Sequence, residues 1–181
     1  MSKDPLDLKK FVRTVDNFPI DGITFRDITS LIETPEAFVK TCDELTKITR
    51  NFGADIVASI ESRGFIFAGT IARDLNLPFV LARKPGKLPN ETYKKSFDLE
   101  YGSTSIEIQK NTKIKNNQKV VIVDDLVATG GTAIACSEIF TENFNVESEN
   151  ILILSIIDLP ELGGSRLISD KGFLIETLMD Y

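Results

Sequence analysis

Residues 120–132 read VVIVDDLVATGGT. Four consecutive apolar residues, mostly β-branched, have the pattern of a central parallel strand buried on both faces. That strand delivers two adjacent carboxylates, Asp124 and Asp125, to one edge of a sheet. Residues 124–132 read as a loop, and Gly130-Gly131-Thr132 opens a helix expected over residues 133–143. The glycines let successive backbone N–H groups converge on an anion. The helix start adds unpaired donors and a favourable dipole. Ala128, Thr129, Gly130, Gly131 and Thr132 therefore form a candidate phosphate cradle, with hydroxyl donors from Thr129 and Thr132. Carboxylates accept hydrogen bonds, so Asp124 and Asp125 suit the diol of a ribose. The ending Gly-Lys-Ser/Thr of a P-loop is missing, and so is a Gly-x-Gly-x-x-Gly after the first strand.

Moving outward, residues 55–60 (DIVASI) read as a buried strand, residues 64–75 as a helix and residues 78–82 as a second strand. Such a βαβ unit makes its two strands parallel. Residues 83–91 (RKPGKLPNE) form a basic loop rich in Pro and Gly. Residues 92–108 are less regular, with alternation only over 104–108. Residues 150–157 and 173–178 are further core strands. Towards the N-terminus, residues 6–15 space their apolar residues as a short amphipathic helix. Phe18-Pro19 and Asp21-Gly22 mark a turn. Pro35 opens a longer helix, with Phe38, Cys42, Leu45 and Ile48 on one face and Gly53 as its stop. Alternating strands and helices predict an α/β fold around a mainly parallel sheet, whose ligand crevice lies beyond the C-terminal strand ends.

The 181 residues suit one domain. A net charge of −6 argues against nucleic acid as the main partner, because a phosphate backbone needs a basic face. The absence of histidine excludes Ser-His and Cys-His catalysis and histidine-ligated zinc. Cys42 and Cys136 lack the spacing of a metal or redox pair. Residues 1–11 carry no apolar signal core, and no apolar run approaches the roughly 20 residues that span a bilayer. The expectation is a cytoplasmic protein with no membrane partner.

The 120–132 stretch resembles the phosphoribosyl pyrophosphate signature of the type I phosphoribosyltransferases. Four further segments narrow the resemblance to the adenine phosphoribosyltransferase family: residues 25–28 (FRDI), 61–65 (ESRGF), 83–89 (RKPGKLP) and 99–102 (LEYG). They occur in family order, and the resemblance runs from about residue 18 to residue 178. It implies a type I phosphoribosyltransferase fold in one domain. Residues 1–34 would form a base-binding hood, and residues 35–181 a core with a mobile loop at about 90–105.

The resemblance also implies roles. Ser62, Arg63, Arg83, Lys87 and Tyr101 would hold pyrophosphate, with Lys84 less firmly assigned and a cis peptide at Glu61–Ser62. Asp124 and Asp125 would bind ribose. Thr24, Phe25, Arg26 and Leu126 would bind adenine, Phe25 by ring stacking and Thr24 and Arg26 through their backbones. On sequence alone Glu100 reads as an exposed loop carboxylate; the family makes it the group that manages the proton on the purine. The implied reaction converts adenine and phosphoribosyl pyrophosphate into AMP and pyrophosphate. Mg2+ is the implied cofactor, without direct protein ligands, though Asp124 and Asp125 could reach it through water. A homodimer is also implied. No lysine lies between Asp124 and Glu138 to read a keto oxygen, which favours a 6-amino purine. The alternatives are a phosphoribosyltransferase for another nucleobase and a non-catalytic sensor of phosphoribosyl pyrophosphate.

Overall fold

The computed structural model describes residues 3–99 and 102–181. Its centre is a five-stranded sheet built from β3 (Ile56–Ile60), β4 (Phe79–Ala82), β7 (Val120–Val127), β8 (Ile151–Asp158) and β9 (Leu174–Asp180), in the order β4-β3-β7-β8-β9. Every pairing within it is parallel. Period-2 alternation divides β7 between the two faces. Val120 and Ile122 join Phe140, Ile139 and Ile153 on one face. Val121 and Val123 join Leu45, Phe67 and Leu154 on the other.

The helices cover those faces. Helix α2 (Pro35–Phe52) has Pro at its first turn and ends at Gly53, whose φ of 75° needs no Cβ. Cys42 and Leu45 are buried and Phe38 and Ile48 pack beside them, as the apolar spacing predicts. Helix α3 (Gly64–Leu75) closes the βαβ unit with β3 and β4. Helix α4 (Gly131–Phe144) follows β7, and a short α5 (Gly164–Asp170) precedes β9. No helix among the described residues is long and apolar enough to cross a membrane.

Three segments differ from the sequence reading. Residues 6–15 do not form a helix: a 3-10 turn at Lys9–Phe11 leads into β1 (Arg13–Asp16), which pairs antiparallel with β2 (Thr24–Asp27). Pairing with β2, and the β-branched Thr14 and Val15, override the weak helical spacing. A further short helix, α1 (Thr29–Glu33), follows β2. Residues 92–108 are not irregular: β5 (Thr92–Leu99) and β6 (Gly102–Gln109) form a regular hairpin. Its apolar alternation is broken at Lys95, which shares a strand face with Tyr93 and Phe97 and whose ammonium bridges Glu138, at 3.0 Å, and Glu142 on α4. Finally, β7 continues through Val127, so Asp124 and Asp125 are strand residues and only 128–130 remain as loop.

Candidate active site

The site lies where the C-terminal ends of β3, β4 and β7 meet the hairpins. Alternation along β7 aims Asp124 towards the α4 face and Asp125 towards the α3 face. On the α3 side, Arg63 Nε donates to Asp125 Oδ2 at 2.6 Å. This pair is possible because α3 begins hard against β7. A Cβ on Gly64 would sit 2.6 Å from Ser59 Oγ and 2.8 Å from the Val123 carbonyl oxygen. Ser59 itself donates to that carbonyl at 2.7 Å. Burial opposes the Arg63 charge, but the bond to Asp125 and the charges of Asp125, Asp124 and Asp27 outweigh it and raise its pKa. Among the described residues Asp124 makes no such ion pair. Burial, then the charge of Asp125, pushes its carboxyl well above the ordinary range, and the Arg63 charge only partly offsets this. The Asp125 N–H donates to Asp124 Oδ1 at 2.9 Å, and this opposes the rise.

Three hollows adjoin one another through shared lining residues, and two of them are lined by these carboxylates. The smallest, about 100 Å³, is lined by Ala128, Thr129, Gly130, Gly131 and Thr132 and by Asp124. Gly130 has φ 80° and precedes α4, so the loop turns its amides towards the helix start. A second hollow of about 370 Å³ shares Asp124, Leu126 and Thr132 with the first and adds Asp125, Arg63 and Lys84. A third, about 460 Å³, shares Arg63 with the second and is walled by Phe18, Phe25, Val15, Asp27 and Thr29. Phe18 meets Phe25 edge-on at 5.1 Å, and the Arg63 guanidinium lies 5.9 Å from the Phe25 ring. Asp27 is held as a carboxylate: the Thr29 hydroxyl at 2.6 Å, then the Thr29 N–H at 2.9 Å, lower its pKa.

The sequence-predicted residues are distributed unevenly over this cleft. Asp124, Asp125, Leu126, Arg63, Phe25 and the loop 128–132 line it. Thr24 and Arg26 flank Phe25 on β2, with the Arg26 side chain turned to Thr14 Oγ1 at 2.7 Å. Leu126 lines the middle hollow rather than the Phe25 hollow. The Glu61–Ser62 peptide is cis, as the resemblance implies. Ser62, Arg83 and Lys87 are not among the lining residues. Arg83 is engaged elsewhere: its Nε and Nη2 donate to Glu61 at 3.1 and 3.3 Å, and its Nη1 to the Lys87 carbonyl at 3.1 Å. Lys84, between them in sequence, does line the middle hollow. Glu100 and Tyr101 lie outside the described residues.

Three supporting residues were given no side-chain role by the sequence, although Glu61 opens the 61–65 motif. Glu61 clamps Arg83 and accepts from the Lys84 N–H at 3.1 Å. Burial works against the Glu61 charge, but these donors prevail and lower its pKa. Glu107 on β6 accepts from the Gly86 N–H at 3.2 Å, and its backbone pairs with Arg83, fixing the basic loop. Gly164 donates to the Ala128 carbonyl at 3.1 Å and backs the phosphate loop so closely that a Cβ would stand 2.2 Å from that oxygen. The Gly163-Gly164 pair after a strand was the available signal.

A carboxylate pair beside a glycine-rich anion cradle, joined to an aromatic-walled hollow, defines a site for a phosphorylated sugar and a flat base. The sequence pattern of the Phosphoribosyl transferase domain matches residues 29–171. An adenine phosphoribosyltransferase of Erythrobacter litoralis is 44% identical over 175 residues, spanning 97% of this chain and 96% of the relative. The solved adenine phosphoribosyltransferase of Thermoanaerobacter pseudethanolicus superposes with a TM-score of 0.87 at 37% identity, covering 97% of this chain and 98% of that one. The enzyme of Giardia lamblia, solved with 9-deazaadenine, gives 0.90 at 33% identity, with 98% of each chain covered. The chain belongs to the phosphoribosyltransferases and, within them, to the adenine phosphoribosyltransferase family.

Proposed function

We propose that the chain transfers the 5-phosphoribosyl group of phosphoribosyl pyrophosphate to adenine, giving AMP and pyrophosphate. The observation that carries this reading is the order of the three joined hollows: aromatic wall, carboxylate pair, amide cradle. That is the order of base, ribose and 5-phosphate in AMP. The loop 128–132 takes the 5-phosphate through backbone N–H groups and the Thr129 and Thr132 hydroxyls. Asp124 and Asp125 accept from the ribose 2′- and 3′-hydroxyls. Phe25 stacks on the purine, with Thr24 and Arg26 reading its edge and Leu126 bordering the sugar side.

In the reaction a purine nitrogen bonds to the anomeric carbon as the bond to pyrophosphate breaks. The sugar passes through an oxocarbenium-like state. The leaving group is already charged, so positioning and charge neutralisation dominate. Arg63 stands between base and sugar, with Lys84 at the wall of the middle hollow. Ser62, Arg83, Lys87 and Tyr101 complete the pyrophosphate side, and Glu100 accepts the purine proton. Mg2+ supplies further neutralisation of pyrophosphate when bound. The adjacent carboxylates fit such an ion, because Asp124 has no ion-pair partner among the described residues, and Asp124 and Asp125 would meet it through water. We place the enzyme in the cytoplasm, where two buried free thiols persist, and as a homodimer by family likeness.

The test is pyrophosphate release with a panel of nucleobases, with and without Mg2+. Adenine should be turned over far faster than hypoxanthine, guanine or a pyrimidine, and only with the metal. Preference for another base would end the adenine reading. Binding of phosphoribosyl pyrophosphate without turnover of any base would favour a sensor.

A further inference from the structure

The base strand β2 presents Phe25 to the cleft and, by alternation, Arg26 to its back. There the Arg26 guanidinium lies 4.1 Å from the centre of the Tyr181 ring. Lys9 Nζ lies 4.9 Å from the same ring, and the Tyr181 hydroxyl donates to the Lys9 carbonyl at 3.4 Å. Tyr181 thus grips both the segment entering β1 and the strand β2. Its own backbone is tied to the main sheet, the N–H donating to the Asp158 carbonyl at 3.1 Å. Asp158 pairs in register with Val127, the residue before the phosphate loop. Leu159 N–H, next in the chain, donates to the Val127 carbonyl at 3.0 Å. A continuous path of bonded groups therefore runs from the phosphate loop through the end of β8 and Tyr181 to the base strand.

The geometry points to Tyr181 as a positioning residue: its ring, stacked under Arg26, fixes the base-reading strand β2 relative to the sugar-phosphate cradle. This rests on the base-site reading above. Tyr181 lines none of the three hollows, so it acts on adenine through Arg26. A cation over an aromatic face holds well only while the ring is present, and an aliphatic side chain of similar bulk does not replace it. The hydroxyl bond is long, so the ring carries the grip.

The experiment is steady-state kinetics of the full chain with each substrate varied in turn. Tyr181→Leu should raise the KM for adenine about three- to ten-fold while the KM for phosphoribosyl pyrophosphate stays within about two-fold. Tyr181→Phe should restore the adenine KM to near its original value. If both KM values of Tyr181→Leu are unchanged, or rise together, the proposal is overturned. It is equally overturned if Tyr181→Phe behaves like Tyr181→Leu. Thr14→Val removes the other anchor of the Arg26 guanidinium at nearly constant volume and serves if Tyr181→Leu does not fold. It should raise the adenine KM selectively, and an unchanged value counts against the proposal. Phe25→Ala separates the two levels. If it leaves adenine KM unchanged, the base site is elsewhere and the Tyr181 role falls with it.

Discussion

Replacing Gly164 with Ala tests whether the phosphate cradle is held in shape from behind. Gly164 lies outside every motif, at the start of α5. Its added Cβ would stand 2.2 Å from the Ala128 carbonyl oxygen, 2.7 Å from the Gly130 nitrogen and 2.8 Å from the Thr129 carbonyl carbon. All three are backbone atoms, so no flexible side chain can yield. Ordinary contact begins near 3.4 Å, so the loop must recede by about 1 Å. The 3.1 Å bond from Gly164 N–H to Ala128 also breaks. Displacing a substrate-positioning group by about 1 Å costs on the order of 100-fold in rate. We expect kcat/KM for phosphoribosyl pyrophosphate to fall by that order in a pyrophosphate-release assay. AMP affinity, measured by calorimetry, should fall with it. The reasoning is refuted if Gly164→Ala folds and keeps kcat/KM within about two-fold. That result would mean α5 retreats instead and the cradle stands unaided.

Other perturbations separate the charged groups. Asp125→Ala should lower turnover, because it removes both a ribose acceptor and the 2.6 Å partner of Arg63; unchanged kinetics at saturating and limiting sugar donor would contradict this. Asp124 has a raised pKa in the folded state. Ionising it therefore opposes folding, and the ligand-free protein should lose stability as pH rises through the window above the ordinary carboxylate pKa. Asp124→Asn should flatten that slope in thermal melts while weakening the sugar donor's binding; an unchanged slope would show that Asp124 is ionised without penalty. Glu61 is shifted the other way. Its clamp on Arg83 is present above its unfolded pKa and is lost as pH falls through the depressed folded one. Glu61→Gln should mimic that loss at neutral pH, raising the KM for phosphoribosyl pyrophosphate while the KM for adenine holds steady, which substrate-varied assays would check.

Legibility followed how local each cause is. The 120–132 stretch carried strand, carboxylates and cradle in one continuous run, because burial on both faces and a glycine-opened helix are both written in nearest neighbours. The expected bounds of helix α3, residues 64–75, match the observed ones for the same reason. The β5–β6 hairpin was not legible. Lys95 sits on the inward side of β5, and the carboxylates that make it tolerable, Glu138 and Glu142, come from α4 more than forty residues later. The short helices α1 and α5 are too brief for an apolar period to declare itself, and tertiary contacts hold them.

The basic loop shows where a motif stops short of a site. The resemblance gives Arg83 and Lys87 the same pyrophosphate role and leaves Lys84 less firmly assigned. Parallel pairing orders the three differently. Ile60 lies opposite Ala82 in the sheet, so the next residues, Glu61 and Arg83, emerge side by side at the strand ends and must neutralise each other. The same register passes the adjoining position, Lys84, to the wall of the cleft. This pairing follows from the βαβ unit once the register is set, and it needs no knowledge of the ligand. Arg83 therefore acts first as the anchor that shapes the loop. Any role it has at pyrophosphate requires the anion to compete with Glu61, a bidentate carboxylate at 3.1 and 3.3 Å. A multiply charged leaving group can win that competition where a monoanion such as inorganic phosphate at low concentration would not, so the clamp favours the charge state of the true substrate.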